Sequence, residues 1–255
     1  MQIIPISNLA LVALPSALVI IILWRWSDNA AASVYALARM VIQLCLIGYA
    51  LTFIFATNYP ALVLAVLSIM LAVSSWIALR SIAERRKQLY FKALGATLVV
   101  NLTMLALITQ CVLVSQPWYA PSVVIPLAGM LFAVAMNSIS LFAERYFAEL
   151  TRNTDANNDD SEARNTAYKA TMIPITNSLL AVGLVSLPGM MTGQILSGIS
   201  PLIAVRYQIM VMLMLFASTG LTAALFYYFI RPSAHITTSR VTPPDQVSSK
   251  SSDTL

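Results

Sequence analysis

The chain has 255 residues, of which 59% are hydrophobic and only 10% charged. Ordinary soluble domains carry about 25% charged residues, so this composition excludes a soluble globular fold. The formal net charge of +5 is then a matter of membrane topology, not of nucleic-acid binding.

Residues 1–24, 40–79, 93–143, 170–205 and 207–230 contain no Asp, Glu, Lys or Arg. A membrane-spanning helix needs about 20 apolar residues, so these runs hold one, two, two, one and one helices. The two longest are divided midway by turn residues, "TNYP" at 57–60 and "QPWYAP" at 116–121. Seven spans are expected in an all-α, polytopic membrane protein, near 5–24, 37–57, 61–79, 93–115, 122–143, 170–190 and 205–230.

Basic residues set the orientation. With the N-terminus outside, the inner segments are 25–39, 80–92, 144–169 and the tail, and they hold 14 of the 15 Lys and Arg residues. Arg206 is the exception, and Trp118 with Tyr119 reads as an interfacial aromatic pair in an outer loop. The first helix has no basic residue before it and no small-residue cleavage site after it, so a retained span is expected rather than a signal peptide. Residues 1–230 form the expected transmembrane domain, with a cytoplasmic loop at 144–169, and residues 231–255 a disordered cytoplasmic tail. The ends of the loop can form short charged helices, while "NTDANNDD" breaks them.

All ten acidic residues fall outside the predicted spans, and the single histidine, His235, lies in the tail. This argues against a proton-coupled carrier, which usually needs a titratable group at membrane depth. It also removes zinc and aspartyl intramembrane proteases, and the chain has no Gly-x4-Gly-Lys phosphate loop. The polar residues left inside the spans are neutral or lie at their ends. Arg39 and Gln43 are four apart on one helix face; Asn101 and Gln110 lie in the fourth span, Asn137 in the fifth, and Asn177 with Ser178 in the sixth. Each serves either as an interhelical hydrogen-bonding group or as a lining of a transport path. Cys45 and Cys111 read as small apolar core residues.

The stretch "SLPGMMTGQILSG" at 186–198 interrupts the sixth run. Pro188 removes a backbone donor, and Gly189 with Gly193 forms a G-x-x-x-G pair that lets another helix approach. Met190, Met191, Met210, Met212 and Met214 are either flexible apolar filler or soft thioether ligands for a metal in transit. The segment is expected to be a flexible close-packing hinge, serving as a subunit contact or a moving gate.

Four blocks carry a specific resemblance: "RMVIQLCLIGY" at 39–49, "PWYAPSVVIPLAGM" at 117–130, "MNSISLFAER" at 136–145 and "MIPITNSLLAVGLVSLPGMMTGQILSGISPLIAVRYQIMV" at 172–211. Over residues 5–230 the chain resembles the FetB family of ABC-transporter permeases, which includes a bacterial iron exporter and plant aluminium-tolerance permeases. The resemblance implies a homodimeric permease of the cytoplasmic membrane that exports a metal ion, iron by analogy. It implies no cofactor on this chain, with ATP and Mg bound by a partner ABC-type ATPase; the lipid bilayer is the other expected partner, and the charge pattern gives no reason to expect nucleic acid. The transport-path or gating candidates are Arg39, Gln43, Asn137, Asn177, Ser178, Pro188, Gly189, Met190, Met191, Thr192, Gly193 and Gln194; the ATPase-docking candidates are Glu144, Arg145 and Glu149; metal ligands are unassigned. The chain departs from the family at Ala133 and Val134, where a Gly-Asn pair is usual, and in the 144–169 loop, which lacks a Leu-Gly-Ala-x-Pro stretch. The altered loop leaves a second reading open, a membrane interaction or assembly protein that has lost transport. An intramembrane enzyme survives only with an unusual Asn or Ser mechanism.

Overall fold

A computed structural model describes residues 6–26, 30–56, 59–152 and 160–238. Among the described residues eight α-helices follow one another: α1 (Ile6–Trp26), α2 (Ala30–Ala56), α3 (Pro60–Ala78), α4 (Arg86–Ala106), α5 (Pro121–Arg152), α6 (Asp160–Ala181), α7 (Gly189–Leu196) and α8 (Pro201–Thr238). A 3-10 segment, Arg80–Arg85, leads into α4, and a π-helical turn, Leu107–Val112, prolongs it. The protein is an all-α, multi-pass membrane protein. Five of its helical segments are long and apolar enough to cross a bilayer: Ala30–Ile54, Pro60–Ala78, Arg80–Val112, Pro121–Arg152 and Pro201–Arg231; Leu11–Trp26 is a shorter apolar stretch.

The sixth expected span, 170–190, needs correction. Its helix starts ten residues earlier, at Asp160, and stops at Ala181. Gly183 turns the chain with φ +85°, and its N–H donates to the Ser186 carbonyl at 3.0 Å. Only glycine adopts that backbone without strain. Pro188, with extended ψ and no N–H to leave unpaired, then precedes the two-turn helix α7. Gly198, at φ +90°, ends that unit before Pro201 opens α8. The expected 144–169 loop is mostly helix, because α5 runs on to Arg152 and α6 begins at Asp160; residues 153–159 of "NTDANNDD" lie outside the described residues. Similarly α8 continues to Thr238, past the point where the tail was expected to begin, and residues 239–255 lie outside the described residues. Trp118 and Tyr119 do pair, edge to face, at 5.6 Å between centroids. Cys45 and Cys111 are exposed on the helix surfaces and do not belong to the core.

We call the end of the molecule that carries Arg80–Arg85 and the α5–α6 connection the inner end. There the core gathers Leu79, just past α3, with Leu89, Phe142, Tyr146, Phe226 and Ile230 from α4, α5 and α8. A second core towards the outer end joins Val63, Leu67, Ile108, Leu131, Phe132 and Met214. In lipid the hydrophobic effect does not hold helices together, so small residues and interhelical hydrogen bonds must. Both converge on three consecutive residues of α8. The Ser218 hydroxyl donates to Asn101 Oδ1 on α4. The Thr219 carbonyl accepts from Ser138 Oγ on α5 at 2.7 Å. Gly220 faces α6, where a Cβ would stand 2.9 Å from Tyr168 Oη and 3.5 Å from Met172 Sδ. Asn101 is thus an interhelical hydrogen-bonding group, fully buried, its amide also donating to Thr97 O at 2.9 Å.

Close helix approach therefore occurs at Gly220. A Cβ at Gly189 or Gly193 would meet nothing within 4 Å of this protomer. Gly220→Leu is expected to separate α6 from α8 and lower the thermal midpoint of the detergent-purified protein. Gly193→Leu should leave the midpoint of the isolated protomer unchanged, as read by fluorescence-detected thermal unfolding.

Candidate functional site

Three cavities and one polar cluster bring together the residues with chemical capacity. The outer cavity, about 410 Å³, lies between the start of α5, α7 and the start of α8. Met190 and Gln194 are four apart on α7 and so share one face of it; both line this cavity with Met130 of α5 and Met210 and Tyr207 of α8. The Gln194 amide oxygen is buried there with no protein hydrogen-bond partner. Three thioethers and an unsatisfied amide oxygen form a neutral, polarisable lining, suited to brief contact with a soft cation and not to holding one tightly. On the other side of α7, Met191 lines a cavity of about 320 Å³ with Met212 and Gln208. Gln208 is buried, and its amide oxygen also lacks a partner. The short helix α7 therefore presents successive methionines to two cavities.

The inner cavity is larger, about 1000 Å³, and lies between α2, α3 and the start of α4. Arg39 and Gln43 meet there as their spacing requires, joined by Arg80, Arg86, Trp76 and Tyr90. The Arg86 guanidinium lies 3.7 Å from the centroid of the Trp76 ring, and its Nε donates to the Trp76 carbonyl at 2.9 Å. Among the described residues no carboxylate comes within 4.0 Å of any of these three arginines.

The polar cluster closes the inner end. Asp160, the first residue of α6, accepts from Tyr146 Oη of α5 at 2.5 Å and from Tyr227 Oη of α8 at 2.6 Å, and Arg231 Nε stands 3.6 Å away. One carboxylate thus joins α5, α6 and α8. The Arg85 guanidinium, 4.5 Å from the centroid of the Phe147 ring, attaches the 3-10 segment to the same platform.

The remaining candidates are scattered. Asn137, Asn177 and Ser178 are exposed on the protomer surface, Ser178 donating to its own helix at Pro174 O. Thr192 Oγ1 donates to Pro188 O at 3.1 Å, which ties off the first turn of α7. Arg145 and Glu149 pair with each other at 2.6 Å along α5, and Glu144 is exposed beside them. The sequence reasoning missed Asp160, Tyr146, Tyr227, Arg80, Arg86, Met130 and Gln208. Gln208 carried the same signal as Asn101, a neutral polar residue in a charge-free run. The others depend on contacts across helices that spacing does not encode.

Residues 6–234 match the model of the family described as "Uncharacterised protein family (UPF0014)". The chain belongs to this family. It is 34% identical to the UPF0014 membrane protein slr1647 of Synechocystis, over 83% of this chain and 86% of that relative. It is 31% identical to the Probable iron export permease protein FetB of Escherichia coli, over 76% of this chain and 78% of that one. Identity to the Protein ALUMINUM SENSITIVE 3 of Arabidopsis thaliana is 28%, over 78% and 76% of the two chains. No solved structure matches the chain. The family match covers α1 to α7 and α8 as far as residue 234, so it includes the three cavities and the Asp160 cluster.

Asp160→Asn keeps the side chain's shape but replaces a doubly bonded carboxylate by an amide. Hydrogen bonds to charged groups contribute about 1.5–3 kcal/mol, so the variant should unfold at clearly lower temperature. Glu149→Gln removes one i,i+4 pair within a single helix, its arginine half exposed; such pairs contribute about 0.3–0.5 kcal/mol, and the midpoint should move much less in the same assay.

Proposed function

We propose that this chain is the permease subunit of an ABC transporter that exports a metal ion, with ATP and Mg bound by a separate ATPase subunit. The observation that carries this reading is the relationship to a protein named as a probable iron export permease, over most of both chains. Iron as the cargo rests on that relationship.

The geometry supports a division of labour. The outer cavity, with Met130, Met190, Gln194 and Met210, is the part of the cargo path best matched to a cation. Its ligands are neutral and weak, and transport needs binding that is readily reversed. Three guanidiniums in the inner cavity repel a cation, so Arg39 and Gln43 fit the cargo path less well. Asn137, Asn177 and Ser178 face away from the protomer core and fit a path shared with a second permease copy.

The inner platform suits energy coupling. Glu144, Arg145 and Glu149 lie on the same helix as Tyr146, which Asp160 binds to α6 and α8. A push by an ATPase on the inner end of α5 would therefore reach α6 and α8 together. At the far ends of those two helices, α7 is attached through the glycine turns at Gly183 and Gly198. Pro188 and those turns let α7 shift against α8 without breaking the hydrogen bonds of either long helix. In a homodimer the open faces of Gly189 and Gly193 would meet the second copy.

Purification of the tagged protein from its native membrane in mild detergent should bring down an ABC-type ATPase in near-equimolar amount, identified by mass spectrometry. Its absence from a monodisperse preparation would favour the interaction-protein reading. In cells under iron stress, Gly193→Leu should abolish export and raise cellular iron while leaving membrane insertion intact. Normal iron content in cells carrying that variant would remove α7 from the subunit contact.

A further inference from the structure

The inner cavity and a neighbouring apolar groove form one continuous depression. The groove, about 600 Å³, runs between α2, α3 and α5, and its lining is almost wholly apolar, with Leu46, Ile47, Ile69 and Phe132 along it. Gln43, Val73 and Ile77 line both spaces, so the arginine-lined compartment adjoins the apolar one. Leu46 and Ile69 on the rim are 64% exposed, as expected for side chains that face acyl chains.

The charge of this site is unbalanced. Arg39, Arg80 and Arg86 come from three separate elements, and no described carboxylate lies within ion-pairing distance of them. The stacking on Trp76 fixes the Arg86 guanidinium and uses its Nε, which leaves the terminal nitrogens to donate. Guanidinium groups match phosphate oxygens in bidentate geometry, and basic pockets between membrane helices bind anionic headgroups. A soluble phosphate compound would use the charged half and leave the apolar half empty. Only a molecule with a phosphate head and a hydrocarbon tail fills both.

We propose that this depression is a binding site for an anionic phospholipid of the inner leaflet, with its phosphate among Arg39, Arg80 and Arg86 and an acyl chain in the groove between α2, α3 and α5. The lipid fills the space between α2 and its neighbours α3 and α5, and its phosphate offsets part of the positive charge of the three arginines.

The test is native mass spectrometry of the full-length protein in detergent, titrated with phosphatidylglycerol or phosphatidylcholine of equal chain length. Glycerol 3-phosphate and inorganic phosphate serve as tail-less probes. Phosphatidylglycerol should bind more tightly than phosphatidylcholine, and the tail-less probes more weakly than either. Arg39→Gln and Arg80→Gln should each weaken phosphatidylglycerol binding roughly fivefold, whereas Arg152→Gln, the same charge change at the end of α5, should not. Val73→Trp, at a partly exposed position shared by both compartments, should block binding without changing charge. Equal binding of the two lipids, or wild-type titration of Val73→Trp and both arginine variants, would overturn the proposal. Tail-less phosphate binding as tightly as phosphatidylglycerol would assign the arginines to a soluble anion instead. A lipid-free dimer that phosphatidylglycerol does not dissociate would assign the face to a second copy.

Discussion

Three successive residues of α8, Ser218, Thr219 and Gly220, each meet a different helix: α4 through Asn101, α5 through Ser138, and α6 through Tyr168 and Met172. A bilayer offers no hydrophobic gain for bringing apolar helices together, so specificity must come from directional bonds and from close backbone approach. Successive helix positions are about 100° apart, which is how three neighbours can address three partners. The positions of α4, α5 and α6 relative to α8, and with them the inner platform, depend on this short stretch. The Asp160 cluster repeats the arrangement at the inner end with a charged group, where water is near enough to make a carboxylate tolerable.

The architecture was largely legible in the sequence because the physics that fixes it is one-dimensional. Charge-free runs of spanning length became helices, "TNYP" and "QPWYAP" separated them, and the polar "NTDANNDD" fell where α5 and α6 part. The sixth span was misread because its hydrophobicity is continuous while its backbone is not. Gly183, Pro188 and Gly198 break the helix twice, and a hydropathy pattern does not record φ. Within the candidate site, Arg39 with Gln43 and Met190 with Gln194 met because their spacing of four is a helical repeat. Asp160 with Tyr146 and Tyr227, and Arg86 with Trp76, were illegible because each pairing is made across a turn or between helices. The glycines show the limit most clearly. Gly189 and Gly193 have the familiar motif, yet a Cβ on either would meet nothing in the protomer, while Gly220, with no motif, takes the close contact.

The outer and inner cavities differ in electrostatic character. The outer cavity is lined by thioethers, an amide, hydroxyls and apolar groups, with no charged side chain among them. The inner cavity gathers three positive charges along one lining. A cation on the outer side meets a neutral, polarisable surface, and one near the inner cavity meets repulsion. That polarity needs no titratable group at membrane depth, which agrees with the absence of acidic residues from the charge-free runs.

The opening beside α2 also decides by what route an occupant arrives. Its rim is made of exposed Leu46 and Ile69, so access is sideways, from within the sheet of lipids. The relevant concentration is then a mole fraction in two dimensions, fixed by the composition of the leaflet and independent of the surrounding aqueous volume. A cell that alters its ratio of acidic to neutral lipids would thereby alter the occupancy of this face, with no messenger passing through the cytosol.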